Sequence, residues 1–429
     1  MLTSRPRGTN DILPGETEKW QYIEKVFHDV CRRYGYKEMR IPIFEHTELF
    51  ERGVGDTTDI VEKEMYTFND RGGRSVTLRP EGTASAVRAY LDGKLFAVPQ
   101  PVKMYYIGPM FRYDRPQAGR YRQFHQVGVE AFGAESPAID IEVVALFMDY
   151  FRELGLTELE LMLNSVGCPK CRKVLRDRLQ DYFRSHLSSL CENCRSRFDR
   201  NPLRILDCKE AKCREVSSDA PTLFDSLCDR CLNHFKIVRE GLDELGVPYT
   251  LNPSLVRGLD YYTNTAFEVV VHGIGAQSSI GGGGRYDGLV ELIGKRDIPG
   301  IGFAIGMERV LLAMEKQGVG FPSVHGFDVY VATIGKGTET YALKLTDSLR
   351  KAGLSAERDV MGRSLRAQMK YASKMAARYT VIVGDEELAR EQVIIRCMDT
   401  GKQEDVHIED IIKILLEKTT QPQGGSLSV

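Results

Sequence analysis

The 429-residue sequence predicts an α+β protein of more than one domain. Three observations carry that prediction. Strands and amphipathic helices are mixed over residues 1–165 and return after residue 241. Eight of the ten cysteines crowd between Cys168 and Cys231. From residue 324 the texture becomes strand, helix, strand, helix, strand. At roughly 100–200 residues per domain, the length accommodates two to four domains. The expected organisation is a main domain at 1–165 and 241–323, an insertion at 166–240, an α/β domain at 324–418 and a frayed tail at 419–429.

Taken in order, Glu18 to Arg33 carries Tyr22, Ile23, Val26, Phe27 and Val30 at helical spacing. Gly35-Tyr36 ends that helix and leads to Met39-Arg40-Ile41-Pro42. Leu78-Arg79-Pro80-Glu81-Gly82-Thr83 places an acid before a helix, where the dipole favours it. Lys103 to Phe111 and Arg122 to Phe132 read as an antiparallel hairpin around a polar loop, Tyr113 to Tyr121. Period-two alternation puts Phe124, Gln126, Gly128 and Glu130 on one face. A small ligand over Gly128 would then be held by Gln126 and Glu130. Arg112, Arg115, Arg120 and Arg122 gather at the loop, and guanidinium binds phosphate bidentately. The same pattern also fits a polar sheet face with a solvated basic loop.

Further on, Arg257-Gly258-Leu259-Asp260-Tyr261-Tyr262 precedes a strand, Ala266 to Val271. Four glycines, Gly281 to Gly284, run into Arg285-Tyr286-Asp287-Gly288; glycines in a strand mark close approach of a ligand or another backbone. Gly300 to Gly306 reads as a strand entering a helix, Met307 to Met314. Arg309 lies in its first turn, where an anionic partner would offset the unfavourable dipole. In the last region Phe327–Ile334, Tyr379–Val383 and Val393–Cys397 read as strands. Thr338–Ala352, Ser364–Arg378 and Ile408–Glu417 read as helices.

Composition narrows the function. Lysine plus arginine (58) nearly balance aspartate plus glutamate (60), which excludes a uniformly basic nucleic-acid binder but not a local basic groove. No apolar run approaches the roughly 18 residues of a membrane span, and Met1 to Arg7 lacks an apolar signal core, so a cytoplasmic protein is expected. G-x-x-x-x-G-K-[ST] and H-E-x-x-H are absent, and the glycine run lacks the strand–turn–helix context of a dinucleotide site.

In a reducing compartment the cysteines point to metal before disulfides. Cys168/Cys171, Cys191/Cys194, Cys208/Cys213 and Cys228/Cys231 suit thiolate zinc knuckles, with one or two structural Zn²⁺. Chain order favours joining Cys191/Cys194 with Cys208/Cys213, and Cys168/Cys171 with Cys228/Cys231 across the insertion's ends. Free or redox-active thiols are the other reading.

Together these segments resemble the class II aminoacyl-tRNA synthetases, and among them the bacterial histidyl-tRNA synthetase family. Gly35 through Pro42 resembles the class's dimer-forming first motif, Phe111 through Glu130 the second and Gly302 through Arg309 the third. Arg257 through Tyr262 and Gly282 through Gly288 resemble motifs peculiar to the histidine enzymes; Arg7 through Asp11 fits too. The resemblance implies an antiparallel catalytic sheet, a homodimer and a C-terminal anticodon-binding domain. It implies ATP with Mg²⁺, L-histidine and tRNA(His) as substrates, joined through a histidyl-adenylate. Arg112 and Arg257 would act on the reacting phosphate and carboxylate. Arg112, Arg120 and Arg309 would hold ATP. Glu81, Gly82, Thr83 and Gln126 would hold the amino-acid backbone, and Glu130, Tyr261 and Tyr262 the imidazole. Pairing both imidazole nitrogens rejects apolar amino acids without a separate editing domain. The family's own insertions commonly lack these cysteines. Two other readings use the same fold: a silent regulatory paralogue of ATP phosphoribosyltransferase, and a zinc-dependent nucleic-acid-binding module. The arginine set at 112, 257 and 309 argues against both.

Overall fold

The first helix forms as expected, α1 (Thr17–Arg33), burying Ile23, Phe27 and Val30 at helical spacing. Gly35, at φ +77°, ends it, and the Tyr36 N–H closes back on the Cys31 carbonyl at 2.9 Å. The structure is a computed structural model describing residues 3–55, 58–206, 208, 210–255, 258–272, 279–322, 326–335 and 337–420. Two units divide it, Met1–Phe321 and Pro322–Val429.

In the first unit α1 is followed by β1 (Lys37–Glu38), β2 (Phe44–His46), α2 (Thr47–Val54), β3 (Tyr66–Asn69), β4 (Ser75–Leu78) and α3 (Thr83–Asp92). The long hairpin is β5 (Val102–Phe111) and β6 (Gln123–Phe132); then come α4 (Pro137–Glu153) and β7 (Glu160–Ser165). The cysteine region is helical: α5 (Pro169–Arg184), α6 (Glu192–Arg200), α7 (Ala211–Ser217) and α8 (Asp229–Glu244). β8 (Thr250–Leu251), β9 (Thr263–Val270), β10 (Ser279–Arg285), α9 (Leu289–Gly294), β11 (Gly300–Gly306) and α10 (Met307–Lys316) complete it.

Among the described residues the main sheet has eight strands in the order β1-β5-β6-β11-β10-β9-β7-β8. The six from β5 to β7 pair antiparallel, with a short parallel strand at each edge. The β5–β6 register runs unbroken from Val102↔Phe132 to Phe111↔Gln123. One sheet face buries Val127, Val129, Phe267 and Phe303 under α1, α4, α8 and α10. The other packs Tyr106 and Met110 against α3 and α9. A separate three-stranded sheet, β2-β4-β3, lies outside the expected elements.

α8 continues past residue 240. Phe235, Val238 and Leu242 on it are buried in the main core, so one helix serves both the insertion and the sheet. The remainder of the insertion has its own smaller core, around Leu175, Leu179, Phe183, Cys194, Ile205 and Cys213.

The second unit contains β12 (Val329–Ile334), α11 (Glu339–Lys351), β13 (Ala356–Arg358), α12 (Leu365–Lys374), β14 (Tyr379–Gly384), α13 (Asp385–Ala389), β15 (Gln392–Cys397), β16 (Gln403–His407) and α14 (Ile411–Thr420). Its sheet order is β13-β12-β14-β15-β16, parallel across the first three strands and antiparallel thereafter. β13 is only three residues long and β16 is largely exposed, which explains why no apolar run announces them. The tail expected at 419–429 lies almost wholly outside the described residues.

Candidate functional site

The hairpin, the β11–α10 junction, the glycine strand and the Leu259–Tyr262 segment meet at one cavity of about 230 Å³. Its wall includes Glu81, Thr83, Arg112, Arg120, Gln126, Tyr261, Tyr262 and Arg309. The register explains the assembly. Gln126 stands opposite Gly306, Gly128 opposite Ala304 and Glu130 opposite Gly302, so the β6 side chains and the start of α10 share one end of the sheet.

One side of the cavity is cationic. The Arg112 Nε donates to the Pro80 carbonyl at 2.8 Å, and its guanidinium lies over the Phe124 ring, 5.4 Å from the centroid. Arg120 pairs with Asp114, with Glu64 4.0 Å away. The Arg309 Nε donates to the Gly119 carbonyl at 3.1 Å, tying α10 to the hairpin loop. Burial, then repulsion from Arg120 and Arg112, pushes the Arg309 pKa down. Three guanidinium groups held together against their mutual repulsion suit a polyanion. Arg115 and Arg122 turn elsewhere: Arg115 lies outside the cavity wall, and Arg122 stacks 3.8 Å from the Tyr113 ring centroid.

The opposite side is polar and buried. The N–H groups of Thr83 (2.7 Å) and Ala84 (2.8 Å) donate to the Glu81 carboxylate at the start of α3. Gln126 Oε1 is buried with no hydrogen-bond partner among the described residues. A buried acceptor left unpaired is costly, so this one invites a donor from a ligand. Glu130 is fully buried. Tyr286 Oη donates to its Oε2 at 2.5 Å and Tyr106 Oη to its Oε1 at 3.3 Å. Burial pushes its pKa up to about 8 against the opposing Tyr286 hydrogen bond.

Two expectations change. The space over Gly128 is not open, because the Tyr106 ring from the neighbouring strand covers it. A Cβ at Gly128 or at Gly82 would clash with that ring. Gly82 and Glu130 therefore lie outside the cavity wall, Gly82 at the N-cap of α3 and Glu130 deeper, beside Tyr286. Arg257 lies outside the described residues.

Sequence reasoning missed Tyr106 and gave Tyr286, within the glycine-segment motif, no role. Tyr106 stands opposite Gly128 in the hairpin register, so the same alternation that selected Gln126 could have found it. Glu308 was missed too. It accepts from the His125 N–H (2.9 Å) and lies 3.0 Å from His125 Nδ1, holding α10 on β6. Arg285, in the glycine segment, is structural: buried, it pairs with Asp140 and with Asp287 at 3.2 Å.

The described thiols form two groups, Cys168/Cys171/Cys228/Cys231 and Cys191/Cys194/Cys208/Cys213, the partition favoured by chain order. Within each group the sulfurs lie within 4.8 Å of one another. Resolved Sγ–Sγ separations are 3.6 Å (Cys168–Cys171, Cys228–Cys231) and 3.9 Å (Cys191–Cys208). Tetrahedral Zn–S bonds of about 2.3 Å require sulfurs about 3.8 Å apart. The spacing fits such an ion, whereas a disulfide would need about 2.0 Å. Burial raises the Cys168 and Cys191 thiols, but hydrogen bonds, led by the Cys171 and Cys194 N–H groups, bring both down to about 7.

The six-stranded antiparallel run, with hairpin and strand–helix junction closing one cavity, defines a class II aminoacyl-tRNA synthetase fold. Residues 8–310 match the Histidyl-tRNA synthetase family and residues 328–418 match an Anticodon binding domain. The chain belongs to the histidyl-tRNA synthetase family. It is 63% identical to a histidine–tRNA ligase of Pelotomaculum thermopropionicum, over 98% of this chain and 99% of that one. It is 61% identical to that of Desulforamulus reducens, over 98% and 100%. Apo S. aureus histidyl-tRNA synthetase superposes with a TM-score of 0.83 at 41% identity, over 96% of this chain and 100% of that one.

Proposed function

We propose that the chain ligates L-histidine to tRNA(His) through a histidyl-adenylate, releasing pyrophosphate and then AMP. The observation that carries this is the two-sided cavity: a buried acceptor and carboxylates face three guanidinium groups. The amino-acid ammonium would meet Gln126 Oε1, Glu81 and Thr83. The imidazole would meet Tyr262, with Tyr261 beside it, and Glu130 would act on it from behind Tyr106, whose hydroxyl it holds. Arg112 would hold the α-phosphate as the carboxylate attacks in line. Arg120 and Arg309 would hold the rest of ATP, and Arg257 would stabilise charge at the reacting centre. Mg²⁺ on the phosphates would neutralise developing charge, and Asp114 and Glu308 supply oxygen donors in the cavity wall.

The thiol groups would carry two structural Zn²⁺ ions. The domain limits proposed are 1–165 with 241–323, 166–240 and 324–418, with α8 shared across the limit at 240. The insertion would meet the tRNA acceptor arm and the last domain the anticodon. Arg366, Lys370 and Lys374, exposed at four-residue spacing on α12, support a basic face there. Dimerisation through the first motif is supported by Ile43, Phe44 and Phe68, all exposed beside it. No helix among the described residues is long and apolar enough to cross a membrane. A reducing cytoplasm would keep the thiols metal-competent.

The test is amino-acid-dependent exchange of pyrophosphate into ATP. Exchange with histidine alone, lost in Arg257→Ala, is expected. No exchange from folded, zinc-loaded protein would favour the regulatory reading.

A further inference from the structure

The insertion reaches the amino-acid side of the cavity through Arg172, with Asn201 beside it. α5 and α8 both start at the same thiol group: Cys168 and Cys228 are their N-caps, and Cys171 and Cys231 lie in their first turns. The Cys228 N–H donates to Cys171 Sγ at 3.1 Å, binding the two helix starts together. Both helix starts thus face the same four sulfurs.

Arg172 follows Cys171 directly. Its Nη1 donates to the carbonyls of Asp260 (3.0 Å) and Tyr262 (3.2 Å). These flank Tyr261, and Tyr261 and Tyr262 both line the cavity. Asn201, after α6, adds a bond from Nδ2 to Asp260 Oδ1 at 3.1 Å. On the far side, the Val166 N–H donates to the Asn264 carbonyl (2.6 Å) and the Asn264 N–H to the Gly167 carbonyl (3.0 Å). Asn264 holds a left-handed φ of +47° there. The tyrosine segment is therefore clamped from the insertion's root on both sides. A guanidinium that shares one nitrogen between two carbonyls fixes their separation, and with it the direction of the intervening side chain.

We infer that Arg172 is a positioning residue for amino-acid recognition, and that the Cys168/Cys171/Cys228/Cys231 group is the anchor from which it acts. The inference rests on the histidine-activation reading and adds to it: the metal-bearing insertion sets the imidazole side of the site, and the phosphate side stands independently of it. Arg112, Arg120 and Arg309 are held from other parts of the chain. Their anchors are Pro80, Asp114 and Gly119.

The test uses full-length, zinc-loaded protein, with pyrophosphate exchange titrated separately in histidine and in ATP. Arg172→Ala should raise the histidine KM about tenfold, as expected for losing a charged donor, and change the ATP KM by less than about twofold. Zinc content should equal that of the unaltered protein. Arg172→Lys, which keeps a cationic donor, should recover part of the loss. An unchanged histidine KM, or an equal rise in both KM values, would overturn the inference. Should the alanine variant not fold, the lysine variant decides, a histidine KM raised at least about threefold supporting it and an unchanged one refuting it. Failure of the unaltered protein to exchange with histidine would be a different result, removing the activity reading and this inference with it.

Discussion

The main sheet and the cysteine-rich insertion adjoin in the chain but hold their functional groups by different physics. The sheet fixes Gln126 and Glu130 by backbone register, over a large apolar core that buries Phe147, Phe267 and Phe303. The insertion has a small core and relies on eight thiols to bring its helix starts together. A sheet so built tolerates loss of one side chain at its surface with little change in fold. A thiol-held insertion would depend on the proposed ion, since below a certain size a core needs cross-links or metal. Chemistry and stability should therefore separate: substitutions in the cavity should act on rate, and metal removal on structure.

The largest effect should come from the cavity. Arg112→Ala is expected to lower histidine-dependent exchange by about 10²–10³-fold, the usual cost of losing a preorganised charge at the reacting atoms. Its melting temperature should stay within about 2 °C of the unaltered protein, because surface and cleft changes seldom cost more. A large loss of stability would show that the cationic wall is part of the scaffold.

Metal removal is the converse. Full-length protein should carry two zinc ions per chain, read by elemental analysis. Chelation should lower the melting temperature by more than about 5 °C and open the insertion to proteolysis first. Zinc-free protein with unchanged melting and cleavage would place the thiols among ordinary free cysteines.

The smallest effect is a pH slope from Glu130. Folding raises this carboxyl to about 8 through burial. The unfolded chain ionises it in the ordinary carboxylate range, so stability falls as pH climbs from that range to about 8, then levels. Glu130→Gln should remove the slope. Its advantage in melting temperature over the unaltered protein should grow by about 4 °C between pH 5 and pH 8. Parallel melting curves would show that the carboxyl is already ionised by its tyrosine partners.

Where the pattern is local, the sequence is readable. α1 shows in its apolar spacing and β5 and β6 in their alternation, and chain order alone favoured the grouping the thiols adopt. The cationic wall was legible because arginines at 112, 120 and 309 have few reasons to gather other than an anion. What stayed hidden depends on tertiary register. Hairpin register alone could place Tyr106 opposite Gly128, but nothing local says that Tyr286 reaches Glu130 from another strand pair. The β2-β4-β3 sheet escaped because its strands are three or four residues long, too short for periodicity to register. Arg172 lay hidden for the same reason: its partners are carbonyls 88 and 90 residues away.

The most direct test of the account is charging itself. Full-length protein, zinc-loaded and supplied with ATP, Mg²⁺ and each amino acid in turn, is incubated with tRNA(His) and a panel of other tRNAs. The account predicts histidyl-tRNA(His) alone, with AMP and pyrophosphate released in equal amounts to the product. Exchange of pyrophosphate without transfer to tRNA(His), or transfer of another amino acid, would contradict it.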